Sequence, residues 1–327
     1  MVQKIALVTG GYSGEAVISY KSAETIKNNL DATLWECYVI DIQKAGWFYI
    51  NSNGEKTEVD KNDFSVIEKG EKILFEAILI GLHGTPGEDG KLQGYFDCLN
   101  IPYTSCNAAT SALTFNKSYT VAVAAFAGIK VAKSILLFKK DAVDEADILQ
   151  KLTLPVFVKP NNGGSSIGMS KVNNEKDLGA ALLKAFAEDE QVLVEEFIAG
   201  REFTIGVFKQ NGKVVPLPIT EVITGNEFFD FEAKYEGKSK EVTPAIITEE
   251  QKNSIESAAK NIYTTFNCNG IIRVDFILNK TDNLPYMLEI NTVPGQSQAS
   301  IVPQQVAAMG STLNQFYTVL LNECLAQ

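Results

Sequence analysis

Histidine is almost absent from this chain of 327 residues, His83 being the only one. That excludes metal centres built on several imidazoles. Cysteine is sparse and unpatterned: Cys37, Cys98, Cys106, Cys268 and Cys324 are odd in number and form no C-x-x-C pair. A disulfide framework is therefore excluded, and reduced core thiols are expected. Basic residues are outnumbered, 29 Lys and Arg against 40 Asp and Glu, for a net charge of -11. A nucleic-acid surface needs clustered Lys and Arg, so no nucleic-acid partner is expected. No segment approaches the roughly eighteen consecutive apolar residues of a membrane span. The opening Met1-Val2-Gln3-Lys4 runs straight into Ile5 to Val8 without a leader-like apolar region. A soluble, cytoplasmic protein with no membrane partner is the expectation.

What is present fits a globular chain. Hydrophobic residues make up 45% and charged residues 21%, enough apolar side chain to offset the entropy of ordering. The length calls for two or three subdomains. Lys4 to Thr9 is a short apolar run ending in Gly10-Gly11, followed by a helical pattern from Glu15 to Asn29. Strand, glycine turn and helix in that order suggest a parallel sheet, with further strands at Trp35 to Ile40 and Ala77 to Leu82. One helix is expected over Ser111 to Gly128. A mixed unit follows: strands at Val131 to Phe138, Leu154 to Lys159, Gly168 to Val172 and Gln191 to Phe197, with a helix at Glu175 to Glu188. The last third reads as a strand at Glu202 to Phe208, an irregular stretch from Thr220 to Lys240, and a helix near Glu249 to Phe266. It ends on a hairpin, Ile271 to Leu278 with Tyr286 to Asn291, joined by the polar turn Asn279 to Asn283.

Three segments carry chemistry. Alternation along the hairpin puts Arg273 and Asp275 on one face of its first strand, and Glu289 and Asn291 on one face of its second. Three oxygen donors beside a guanidinium suit Mg²⁺ and nucleotide phosphate; the bland alternative is a salt-bridged solvent face. Lys159 ends an apolar strand and precedes Pro160-Asn161-Asn162-Gly163-Gly164-Ser165-Ser166-Ile167-Gly168. Exposed amides in such a loop can nest an anion while the lysine supplies a point charge, although a plain surface turn would read the same way. It is no Walker A motif, because Met169-Ser170 stands where Lys-Ser/Thr should follow. His83 opens a glycine-rich loop, His83 to Gly90, after a strand, a position where open α/β sheets bind ligands. A lone histidine is more often structural. Glu15 at a helix start is either favoured by the helix dipole or placed to meet a ligand ammonium.

In order along the chain, GGYSGE, LHGTPGEDGKLQG, NKSYT, FVKPNNGGSSIGMSKV, VLVEEFIAGREFT, FDFEAKY, RVDF and MLEINTVPGQSQASIVP resemble the D-alanine:D-alanine ligase family of the ATP-grasp superfamily. The resemblance runs from Lys4 to about Pro303. It implies an α/β and α+β chain with a three-subdomain ATP-grasp fold: an N-terminal Rossmann-like (pre-ATP-grasp) domain over 1–106, a central subdomain over 107–197 and a C-terminal subdomain over 198–327. It also implies ATP and two Mg²⁺ (or Mn²⁺) ions as cofactors, D-alanine as substrate and a homodimer.

Residue roles follow from the same resemblance. Lys117, Lys159, Ser166 and Lys234 are expected at the phosphates, and Glu195, Phe197, Ile198 and Met169 near the adenine, with Glu202 on the ribose. Asp275, Glu289 and Asn291 match the metal ligands. Glu15 matches the residue that binds the first D-alanine's ammonium, with Ser165 and Tyr235 bonded to it, and Ser300 meets the second D-alanine's carboxylate. Arg273 and the backbone N–H of Gly295 match the oxyanion hole, and the stretch from Phe228 to Tyr235 a lid. Val17, Asn116, Gly163, Ala299, Phe229 and Phe231 depart from the commoner family pattern. Rival readings are a ligase for D-lactate or D-serine, a nicotinamide-dependent oxidoreductase built on the first strand-glycine-helix unit, and a nucleotide-binding protein without activity. The oxidoreductase leaves the metal-ligand strands unexplained.

Overall fold

The computed structural model describes residues 2–51, 53–141, 143–164, 166–224 and 239–326. In chain order the first sheet comprises β1 (Gln3–Gly10), β2 (Trp35–Gln43), β3 (Gly46–Ile50) and β4 (Lys56–Glu58). A small hairpin, β5 (Val66–Glu68) and β6 (Glu71–Ile73), precedes β7 (Ala77–Ile80). The sheet order is β4-β3-β2-β1-β7. β1 pairs in parallel with both β2 and β7, whereas β3 and β4 add an antiparallel edge absent from the sequence reading. Residues Ile5 to Val8 of β1 are buried, which explains an unbroken apolar run: a parallel strand covered on both faces has no polar side. Helix α1 (Ala16–Asn29) packs its Ala23 and Ile26 on one face of the sheet, and α2 (Lys91–Leu99) packs Leu92 and Phe96 on the other.

The expected single helix over 111–128 is two: α3 (Ala108–Phe115) and α4 (Lys117–Phe126). Asn116 breaks them by taking extended backbone, and its side chain accepts from the Tyr119 N–H as N-cap of α4. An asparagine that caps the next helix competes with continuing the previous one.

The second sheet contains β8 (Ser134–Phe138), β9 (Val156–Pro160), β10 (Ser170–Val172) and β11 (Gln191–Glu196), in the order β10-β9-β11-β8. Helices α5 (Glu145–Lys151) and α6 (Leu178–Glu188) cover its apolar face. β8 begins at Ser134 rather than Val131, which makes an isolated bridge to Met287. The third sheet runs through β12 (Gly200–Gln210), β13 (Lys213–Pro216), β14 (Thr220–Thr224), β15 (Ser239–Val242), β16 (Ile272–Asn279) and β17 (Pro285–Asn291). Its order is β15-β14-β12-β16-β17, with β13 paired to β12. Both ends of the stretch from Thr220 to Lys240, expected to be irregular, are thus strands.

Helix α7 (Glu249–Thr265) starts from a capping box between Thr248 and Gln251, and buries Ile255, Ala259 and Ile262 against β12 and β16. Each of the two isoleucines contributes roughly 1.5–3 kcal/mol. The chain closes with α8 (Ile301–Ala308) and α9 (Leu313–Leu325). Phe316, Tyr317, Leu320 and Leu321 of α9 share a core with Ile5, Leu7 and Ile26, tying the last helix to the first sheet. Among the cysteines, Cys106, Cys268 and Cys324 are buried as expected, Cys37 is partly covered, and Cys98 is exposed because it lies on the outer face of α2. Among the described residues no helix is long and apolar enough to cross a membrane.

Candidate active site

The hairpin of β16 and β17 forms the floor. Register sets Asp275 opposite Glu289 and Arg273 opposite Asn291, with a bulge between Asp275 and Phe276. The bulge adds a residue on β17, so Leu288 joins Glu289 in lining one cavity where strict alternation would turn it away. Arg273 grips Asp275 with both arms of its guanidinium, Nε donating to Oδ1 at 2.9 Å and Nη2 to Oδ2 at 2.8 Å. Its Nη2 also lies 3.9 Å from Glu289 Oε1. From the neighbouring strand, the Thr204 hydroxyl donates to Asp275 Oδ1.

Among the described residues no three His, Cys, Asp or Glu side chains cluster to hold a metal. The oxygen set here is two carboxylates and the Asn291 amide. Such a set fits Mg²⁺, which keeps several waters and takes nucleotide phosphate oxygens rather than demanding a full protein cage.

A cavity of about 380 Å³ lies between the second and third sheets. Its apolar walls include Phe157, Met169, Phe197, Ile198, Ile277 and Leu288, and its polar groups include Lys117, Lys159, Ser166, Glu195, Glu202 and Glu289. Lys159 and Glu195 lie diagonally across β9 and β11, where Lys159 pairs with Leu193 and Glu195 with Phe157, and form a buried ion pair. A buried ammonium needs such a partner, and Glu195 therefore fixes where the strand-end charge points. Lys117 opens α4, and its Nζ donates to the Gly163 carbonyl at 2.6 Å. The Ser118 N–H donates to Asn161 Oδ1 at 2.8 Å. The start of α4 and the glycine loop are thus bound together.

A second cavity of about 290 Å³ lies where the carboxyl ends of β1 and β7 meet β17 and the start of α8. It is lined by Glu15, Glu88, Arg273, Asn291, Gly295 and Ser300, and shares Lys117, Gly163, Gly164 and Glu289 with the first. The two cavities therefore meet over the metal-type carboxylate. Glu15 stands at the N-cap position of α1 without a side-chain capping bond, and its carboxylate is wedged between two glycines: a Cβ on Gly84 would fall 2.5 Å from Oε2, and one on Gly164 2.8 Å from Oε1. Only glycine lets both loops approach so closely. Ser300 is the N-cap of α8, yet its hydroxyl makes no capping bond and instead meets Ser297 Oγ at 2.7 Å.

His83 has a structural place. Its Nδ1 lies 2.8 Å from the Val293 carbonyl, which can only accept, so the proton is on Nδ1. Nε2 then accepts from the Ser22 hydroxyl at 2.8 Å, and Ser22 accepts from the Gln296 N–H at 3.1 Å. Burial lowers the His83 pKa to about 4, so the ring stays neutral. The histidine stitches β7, α1 and the segment after β17 together.

The structure brings Glu15, Arg273, Gly295, Ser300 and Asn291 to one cavity and Lys159, Ser166, Met169, Glu195, Phe197, Ile198, Glu202 and Asp275 to the other, with Lys117 and Glu289 between. Ser165, Lys234 and Tyr235, with Phe228, Phe229 and Phe231, lie outside the described residues. Sequence reasoning missed Glu88. Its signal was a carboxylate inside the glycine-rich loop that follows β7. The Gly84 N–H donates to Glu88 Oε2 at 2.8 Å, and burial, then the charge of Glu15, push its pKa up to about 8.

Two family models match the chain, D-ala D-ala ligase N-terminus over residues 4–106 and D-ala D-ala ligase C-terminus over residues 119–322. A D-alanine--D-alanine ligase of Flavobacterium johnsoniae is 43% identical over 99% of this chain and 100% of its own length. Among solved structures, the VanG D-Ala:D-Ser ligase from Enterococcus faecalis superposes with a TM-score of 0.87 at 29% identity, covering 98% of this chain and 99% of that one. A D-alanine--D-alanine ligase from Bacillus anthracis complexed with ATP gives 0.79 at 28% identity, covering 99% and 98%.

Proposed function

The chain belongs to the D-alanine–D-alanine ligase family, and from that premise we propose that it uses ATP to join two D-alanines into D-alanyl-D-alanine for the cell-wall precursor, releasing ADP and phosphate. The observation that carries this reading is the pair of cavities meeting at Glu289 and Lys117. One has apolar walls of the kind a purine fills, and the other has carboxylates, an arginine and a helix N-terminus of the kind a zwitterion needs.

On this reading Phe197, Ile198 and Met169 flank the adenine, Glu195 sits on the same side, and Glu202 takes the ribose hydroxyls. Lys117, Lys159, Ser166 and Lys234 hold the phosphates. Asp275, Glu289 and Asn291 would hold two Mg²⁺ or Mn²⁺ ions, which neutralise charge on the transferring phosphoryl group when bound. Glu15, with Ser165 and Tyr235, seats the first D-alanine's ammonium. Its carboxylate accepts the γ-phosphoryl group, because a free carboxylate is a poor electrophile and an acyl phosphate a good one. Ser300 and the first N–H groups of α8 orient the second D-alanine's carboxylate, and its neutral amine attacks. Arg273 and the Gly295 N–H hold the tetrahedral oxyanion until phosphate leaves. The division into 1–106, 107–197 and 198–327, a homodimer and a cytoplasmic location complete the proposal.

The test is phosphate release from ATP and Mg²⁺ with D-alanine, L-alanine, or D-alanine plus D-lactate or D-serine, with products identified by mass spectrometry. D-alanyl-D-alanine from D-alanine alone is expected. A mixed product formed in preference to the dipeptide would move the specificity to the rival acceptor, and no phosphate release with any amino acid would overturn the enzyme reading.

A further inference from the structure

Glu88 has no role in the mechanism above, yet it lines the amino-acid cavity. Its carboxylate and that of Glu15 bracket one residue. Gly84 donates its N–H to Glu88 Oε2 at 2.8 Å on one side, and its α-carbon presses on Glu15 on the other, where a Cβ would come within 2.5 Å of Oε2. Gly84 holds a positive φ of 68°, which lets the chain turn between the two acids without a side chain separating them. The loop that carries Glu88 is anchored independently: Tyr12 N–H donates to the Thr85 carbonyl at 2.9 Å and Gly87 N–H to the Gly84 carbonyl at 2.8 Å. A carboxylate is therefore not required to hold the turn. Burial does most to raise the proton affinity of Glu88, and the charge of Glu15 adds a repulsion between the two acids. A cation seated between them relieves it.

Building on the ligase reading, we propose that Glu88 is a substrate-binding residue which, with Glu15, forms a two-carboxylate seat for the ammonium group of a D-alanine. The charged groups that act on Glu88 are Glu15 at the start of α1, Arg273 on β16 and Glu289 on β17; His83 in the same cavity is neutral. Arg273 is engaged with Asp275, and Lys21 and Lys117 line the same cavity. The seat also selects against α-hydroxy acids in this position: a hydroxyl carries no charge to offset the two carboxylates.

The discriminating variant is Glu88→Gln. A glutamine keeps an oxygen for the Gly84 N–H and removes only the charge. Steady-state ligation with saturating ATP gives the KM for D-alanine, and inhibition by propionate, which lacks the ammonium, gives a matched probe without it. Glu88→Gln raises the D-alanine KM roughly 10- to 100-fold, the range of a hydrogen bond to a charged group. The propionate Ki and the ATP KM stay within about twofold, and kcat falls less than KM rises. Glu88→Asp, a shorter acid, recovers part of the loss. A D-alanine KM within twofold of the parent overturns the proposal. So does a parallel rise for D-alanine, propionate and ATP, which marks a turn brace. Should Glu88→Gln lose its circular dichroism signature, Glu88→Asp decides on the same KM and Ki comparison. Absence of ligation by the parent protein would instead sink the underlying functional reading.

Discussion

Replacing Arg273 with alanine lowers dipeptide formation roughly 10²- to 10³-fold, the loss typical of one preorganised oxyanion donor. The guanidinium is held by two hydrogen bonds to Asp275 and reaches the amino-acid cavity from the floor of the site. Its orientation is therefore set before the reaction, and it need not reorganise as charge develops on the acyl oxygen. Arg273→Lys recovers little, because an ammonium cannot grip both oxygens of Asp275 and still present a donor at the same place. Removing the arginine also leaves the buried Asp275 carboxylate with Thr204 and Asn291 alone, so some loss of stability accompanies the loss of rate. Measuring kcat together with the thermal midpoint separates the two. A variant with normal kcat would remove Arg273 from the oxyanion hole.

The largest effect is expected from Asp275→Asn combined with Glu289→Gln. These acids face each other across β16 and β17 at the junction of the two cavities, and the amide pair preserves their shape while removing both charges. Turnover falls below detection while circular dichroism is retained, because the core beneath the hairpin, formed by Ile272, Val274, Phe276 and Ile290, is untouched. Undiminished turnover would refute the metal assignment.

Much of this site is visible in the order of residues because strands have period two. Once Ile271 to Leu278 and Tyr286 to Asn291 are read as a hairpin, Arg273, Asp275, Glu289 and Asn291 must share a face, and the register agrees. The buried run of β1 was legible for a similar reason: an apolar stretch ended by glycines has few other places in a fold. Features set by side-chain competition were less visible. Asn116 could continue a helix or cap one, and only its bond to the Tyr119 N–H decides. The bulge beside Asp275 leaves no composition signal, so Leu288 entered the cavity unannounced. The pairing of Lys159 with Glu195 depends on β9 and β11 being neighbours, a long-range fact. Glu88 was hidden because its role depends on Glu15, which reaches it through a turn at Gly84 far away in the chain.

The central claim is that this protein activates one D-alanine carboxylate with ATP and passes it to a second D-alanine. The measurement that tests it most directly is mass spectrometry of the products formed from D-alanine labelled with ¹⁸O in both carboxylate oxygens. Activation through an acyl phosphate predicts inorganic phosphate carrying one ¹⁸O and a dipeptide carrying three. Unlabelled phosphate, or labelled phosphate without dipeptide, would contradict it.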